Sequence, residues 1–219
     1  MTHKIAVVGG TGPQGRGLAY RLAQSGHTVT IGSRDALRAA EKAEEIAAKI
    51  GTHAAISGTT NALAISGADV VLLAVPWDGH SDLVTSLASE LSGKTVISCV
   101  NPLGFDKQGP YPLDVPEGSA AQQAASLLPA SRVCAAFNHV SAPLLADPEV
   151  GRIDLDVLIC TEDRDAAGIV AALAARIPGM RGIYAGRLRN AHQVEAFTAN
   201  LIAINRRYRA HAGIRVTDV

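Results

Sequence analysis

The segment from Lys4 to Gly15, KIAVVGGTGPQG, constrains the fold more than any other stretch of the chain. Lys4 to Val8 is a short, apolar, β-branched run, the pattern of a strand buried on both faces. It passes directly into a glycine-rich turn and then into RGLAYRLAQSG, a helical pattern. Gly10, Gly12 and Gly15 stand at the G-x-G-x-x-G spacing. Gly10 permits the tight turn, Gly12 lets a pyrophosphate approach the backbone, and Gly15 lets the helix lie close against the strand. The helix N-terminus adds unpaired N–H groups and about half a positive charge. Strand, glycines and helix in this order predict a dinucleotide site at the start of the chain.

The rest of the sequence repeats strand-like and helix-like segments in alternation. This predicts an α/β fold: a doubly wound, mostly parallel Rossmann-type sheet with a small C-terminal helical region. Residues 1–186 are expected to form the dinucleotide-binding domain and residues 187–219 the C-terminal helical segment. HTVTIGSR reads as the second strand, and Asp35 caps the alanine-rich helix that ends at Gly51. Ala68 to Pro76 is the strongest buried strand and leads through Trp77-Asp78-Gly79-His80 into a helix from Ser81 to Gly93. Phe105 to Glu117, with three prolines and one glycine, is expected to be a loop, and Asn138 to Gly151 an irregular stretch. In the last helix Val194, Phe197, Leu201, Ile204 and Tyr208 form one narrow apolar stripe. It packs either on its own domain or across a partner subunit.

With 20 basic and 20 acidic side chains the net charge is zero, so no global field recruits nucleic acid or an acidic membrane. Aromatic residues make up only 4%, which also argues against base-stacking platforms. Cys99, Cys134 and Cys160 lie far apart in apolar runs and read as buried free thiols of a reducing compartment. No apolar run approaches a membrane span and the start lacks a signal-peptide core, so a cytoplasmic protein is expected.

In NAD-type sites an acid at the end of the second strand binds the ribose 2′-hydroxyl. Here that position reads GSRDALR, with Ser33, Arg34 and, one turn on, Arg38. A hydroxyl and two guanidinium groups would hold a 2′-phosphate that an acid would repel, so NADP is expected. Ligands of such sheets lie outside the carboxyl ends of the strands. Three ends therefore face the reacting ring: Ala74 to Trp77, Val100 to Leu103, and Phe137 to Val140. They offer apolar walls and backbone groups, with no Ser/His/Asp set, carboxylate pair or metal-ligand spacing. His139 is the one candidate acid or base, its simpler role being structural or a cofactor contact, and His80 is a candidate contact. A carbonyl or hydroxyl substrate needs a positioned proton donor, whereas two stacked redox rings need none.

The segments KIAVVGGTGPQGRGLAYRLAQSGHTVTIGSRDALRA, AVPWDGH, VNPLGFDKQGPY, EGSAAQQAASLLP and AAFNHVSAPLL together resemble the coenzyme F420-dependent NADP reductases, over nearly the whole chain. The resemblance implies reversible hydride transfer between C4 of NADP(H) and C5 of an 8-hydroxy-5-deazaflavin, with no acid or base residue, no covalent catalysis and no metal. It places Thr11, Gly12, Pro13 and Gln14 at the phosphates, and Ser33, Arg34 and Arg38 at the 2′-phosphate. Ala74, Trp77 and Asn101 then lie along ribose and nicotinamide, and Pro102, Leu103, Asn138 and Val140 face the deazaflavin. It also implies a cytoplasmic homodimer whose small redox cofactors are co-substrates, the C-terminal segment completing the deazaflavin site and the dimer contact. Many members carry His where this chain has Asn138. Arg206, Arg207 and Arg209 either meet the anionic tail of the deazaflavin or form a solvated face. Two other readings stay open: an NADPH-dependent flavin or ferric reductase-like domain, and a non-catalytic NADP-sensing protein.

Overall fold

A computed structural model describes residues 2–219. The chain begins with β1 (Lys4–Val8), α1 (Pro13–Gln24), β2 (Thr28–Ser33), α2 (Ala36–Ile50), β3 (Ile56–Thr60), α3 (Asn61–Ser66) and β4 (Val70–Leu73). It continues through α4 (His80–Ser86), α5 (Ala88–Leu91), β5 (Thr95–Ser98), the hairpin β6 (Leu103–Asp106) and β7 (Gly109–Pro112), and α6 (Ala120–Leu127). Then follow β8 (Arg132–Ala135), α7 (Ala142–Ala146), β9 (Leu155–Thr161), α8 (Arg164–Ala175), β10 (Met180–Gly186), a 3₁₀ turn and α9 (Ala191–Tyr208).

Eight strands form one sheet in the order β10-β9-β8-β5-β4-β1-β2-β3. All neighbours are parallel except β8 and β9. The strand side chains alternate between two cores, as a period of two requires. Ile5, Val7, Val70 and Leu72 point into one, and Ala6, Val8, Val71 and Leu73 into the other. Burial on both faces is why these strands read as unbroken apolar runs, each Val or Leu contributing about 1.5–3 kcal/mol. Strand order reverses between β1 and β4, so the chain leaves these two neighbours to opposite sides and opens a crevice at their carboxyl ends.

The sequence reading differs from the fold in three places. The expected loop from Phe105 contains the antiparallel hairpin β6–β7, where Phe105 pairs with Pro110 and Asp106 with Gly109. Asp106 accepts from the N–H groups of Gln108 and Gly109 (2.7 and 3.1 Å), which tightens the turn. Pro110 and Pro112 are tolerated because each strand is an edge. The helix after Trp77 breaks into α4 and α5 around Leu87. The irregular stretch contains α7, started by Pro143 in its first turn and packed on α1, where Leu145 touches the space left by Gly17. The three cysteines are free and buried, and burial pushes the thiols of Cys134 and Cys160 up to about 11.

Candidate functional site: two clefts at the switch point

The glycine turn packs as its spacing demands. A Cβ on Gly10 would lie 2.7 Å from the Val7 carbonyl, and one on Gly15 would lie 2.7 Å from Cα of Gly10. Gly12 differs: a Cβ there would meet only the Gly9 carbonyl, at 3.4 Å, and would project into the cleft that Gly12 lines. Its missing side chain keeps room for a ligand in front of the first turn of α1. Pro13 occupies the start of that helix, where its missing N–H costs nothing, and the next N–H groups have no partner within the helix.

The first cleft, about 410 Å³, is lined by Thr11, Gly12, Ser33, Arg34, Arg38 and Ala74, with Asn61 and Asp78 beside them. Arg34 and Arg38 are exposed, and among the described residues neither forms an ion pair. Asp35 is committed elsewhere: its carboxylate accepts from the N–H groups of Leu37 and Arg38 (3.0 and 3.1 Å) and caps α2. Two unpaired guanidinium groups beside a hydroxyl fit a phosphate monoester.

The second cleft, about 500 Å³, shares the Val75–Pro76 wall with the first. Trp77, Asn101, Asn138 and Val140 line it, together with Gln14 and Cys99. Gln14 donates from Nε2 to the Phe137 carbonyl (3.0 Å), tying the glycine loop to the end of β8. Phe137 takes a left-handed φ of 61° there. Asn101 donates to the carbonyl of Asn138 (2.8 Å), and Asn138 donates to that of Val100 (3.1 Å). Both asparagines keep a buried Oδ1 with no partner. Such orphaned acceptors are uncommon in native interiors and fit a ligand that brings amide or ring N–H donors.

Pro102 and Leu103 are placed differently. Pro102 lines a narrow crevice against His192, Glu195 and Ala196 of α9, and Leu103 pairs with Pro112 in the hairpin. His139 lines the second cleft, but its Nε2 accepts from the Leu158 N–H (3.4 Å), and burial lowers its pKa to about 4. The ring is therefore neutral at pH 7. Arg206, Arg207 and Arg209 are exposed and outside the lining of either cleft. The stripe on α9 divides: Val194 and Leu201 are buried, while Phe197, Ile204 and Tyr208 are exposed.

Sequence reasoning missed Asn61 in the first cleft, and Ser141, Thr198, Asn205 and His211 in the second. Asn61 follows the capping Thr60, a visible helix start, yet nothing local says that β3 brings it beside Gly32. The others come from the residue that precedes α7, from α9 and from the tail, which meet only on folding.

A glycine turn with a basic groove on one side of a shared wall and an apolar, amide-rimmed groove on the other defines a Rossmann-type dinucleotide-binding protein with room for a second ring. Comparison with known proteins narrows the class. Residues 4–102 match the family model described as NADP oxidoreductase, coenzyme F420-dependent. The F420-dependent NADP reductase of Methanothermobacter marburgensis is 42% identical over 99% of both chains. The metalloreductase STEAP3 of Rattus norvegicus is 33% identical over 91% of this chain but only 37% of its own. A solved structure from Arthrobacter sp. FB24, of a candidate F420-dependent NADP reductase, matches with a TM-score of 0.81 and 27% identity. It covers 98% of this chain and 99% of that one. The chain belongs to the F420-dependent NADP reductase family.

Proposed function

We propose that this protein is an oxidoreductase that moves hydride reversibly between NADP(H) and the deazaflavin coenzyme F420. Bound together, the nicotinamide and the deazaflavin supply the redox chemistry, hydride passing between C4 of one ring and C5 of the other. The observation that carries the reading is the shared Val75–Pro76 wall, which makes a phosphate-selective cleft and an apolar cleft into neighbours.

In this reading Thr11, Gly12, Pro13 and Gln14 hold the pyrophosphate through the first turn of α1. Ser33, Arg34 and Arg38 hold the 2′-phosphate, and Ala74 lies along the ribose. Trp77 and Asn101 border the nicotinamide, while Asn138 and Val140 face the deazaflavin. Pro102 supports that face from the neighbouring crevice and Leu103 from the hairpin. The chain contributes orientation and exclusion of water, which in aligned reactants replace much of the entropic cost of meeting. Residues 1–186 would form the dinucleotide-binding unit, with residues 187–219 completing the second cleft. The exposed Phe197, Ile204 and Tyr208 would cover a second copy in a cytoplasmic homodimer. Among the described residues no helix is long and apolar enough to cross a membrane.

Mixing NADPH, oxidised F420 and the protein should bleach the visible absorption of the deazaflavin. An unchanged spectrum at every pH from 5 to 9 rejects the reading. Arg34→Ala tests the basic groove. Losing one charged hydrogen bond, about 1.5–3 kcal/mol, should raise KM for NADP about tenfold to a hundredfold and leave NAD unchanged. Equal rises for both nucleotides would remove the loop from cofactor selection.

A further inference from the structure

Trp77 is the single tryptophan of the chain and a wall of the second cleft. His80 follows three residues later, only 1% exposed, with its ring stacked on the indole at 5.4 Å and 29°. The N–H of His80 also donates to the Trp77 carbonyl (3.0 Å), so the two rings belong to one turn.

The orientation of the imidazole is set from outside that turn. Gln123 of α6 donates from Nε2 to the Glu117 carboxylate (3.3 Å). A carboxylate only accepts, so the amide oxygen of Gln123 must face the other way. That oxygen lies 2.8 Å from Nδ1 of His80 and also only accepts, so Nδ1 carries the proton. Nε2 is buried without a partner, so a second proton there would have no acceptor, and burial lowers the pKa of the ring. His80 is thus a neutral, planar group held by α6 on one edge and laid against Trp77 with its face.

We propose that His80 is a positioning residue for the second substrate: its ring backs Trp77, and the Gln123 bond sets the plane the indole presents to the cleft. This rests on the assignment of the second cleft to the deazaflavin, with Trp77 standing where that ring meets the nicotinamide. A half-buried indole on a loop has two free torsions. A stacked partner fixed by a hydrogen-bonded chain removes that freedom before the substrate arrives, so binding no longer has to supply the ordering. Gly79, at a φ of +75°, turns the chain so that His80 can fold back beneath the indole.

Two variants test it, with Trp77 fluorescence as the spectroscopic signal and F420 reduction by NADPH as the assay. His80→Ala removes the backing ring, while Gln123→Leu keeps the ring and frees it. In H80A, Trp77 emission should shift to the red and become more open to iodide quenching. KM for oxidised F420 should rise about tenfold and KM for NADPH, whose phosphates the first cleft still holds, by about threefold or less. Q123L should move both signals in the same direction, with KM for F420 up about threefold. Support requires the fluorescence and KM changes together. A wild-type KM for F420, or an unmoved Trp77 signal, in either folded variant overturns the role of His80. If H80A fails to fold, Q123L decides alone. A wild-type protein that leaves F420 unreduced overturns the functional reading itself, a different and separately visible failure.

Discussion

Gly58→Ala is expected to cost about 4 kcal/mol or more, enough to unfold a large share of a marginally stable domain. Gly58 sits in the middle of β3, paired with Ile31 of β2, and α2 crosses directly over it. A Cβ there would fall inside the van der Waals shells of the Ala39 carbonyl and the Ala40 nitrogen. Both are backbone atoms of α2, so no side chain can rotate aside, and the helix and the edge strand must separate. Overpacking usually costs about 1–3 kcal/mol because side chains yield; here the obstacle is main chain. The damage would also reach the ligand site, because α2 carries Arg38 and β2 ends in Ser33. Urea unfolding of G58A should show a much lower midpoint, with weakened NADP binding in whatever remains folded. Gly67→Ala is the control: that position is exposed, and nothing lies within 4 Å of its added Cβ. A G58A midpoint equal to that of G67A would mean that α2 is not seated on β3 as described.

Stability should also fall as the pH drops from about 6.5 toward 4. His27, His80 and His139 are all buried, and in each the largest cause of the lowered pKa is loss of solvent. Their unfolded forms take up protons near pH 6.5, while the folded forms resist. The stabilisation they carry is complete above 6.5 and is lost as the pH falls. For His139, lowered to about 4, the full loss is about 3 kcal/mol. Glu195 acts in the opposite sense. It is 1% exposed and accepts from the N–H groups of Ala120 and Ala121 (2.8 and 3.1 Å), yet burial outweighs these bonds and raises its pKa to about 7. A raised carboxyl favours folding when protonated, so its contribution returns as the pH falls from 7 to 4.5. One such group offsets His139 but leaves His27 and His80 uncompensated, and the net result is acid destabilisation. Asp156, held far below the usual carboxylate range by Arg181 and Arg215, does not titrate in this window. Glu195→Gln removes this titrating carboxyl, so wild type should gain about 3 kcal/mol of stability relative to E195Q as the pH falls from 7 to 4.5. Parallel urea midpoints across that range would show that Glu195 does not titrate there.

Much of the site could be read directly from the residues because its determinants are local. The glycine spacing, the strand before it and the helix after it lie within one short segment. Ser33, Arg34 and Arg38 follow one strand end, with Asp35 visible as a cap. The hairpin at Leu103–Pro112 was hidden by prolines that usually signal a loop, since proline is excluded from strand interiors but not from edges. Pro102 and Leu103 follow Asn101 in sequence but turn toward α9 and β7. Adjacency in the chain says nothing about which side of a turn a residue takes.

Alternation of apolar runs and helical patterns, a glycine turn built for phosphate, and a basic second-strand end are properties of neighbouring residues, and these the chain alone determined. Tertiary structure decided which distant groups meet: the shared Val75–Pro76 wall, the wall that α9 and the tail add to the second cleft, and the line from Glu117 through Gln123 to His80 and Trp77. The physical reason is range. Backbone propensity and side-chain periodicity act within a few residues, whereas a cleft and a buried hydrogen-bonded chain exist only once packing has brought strand ends and helices together.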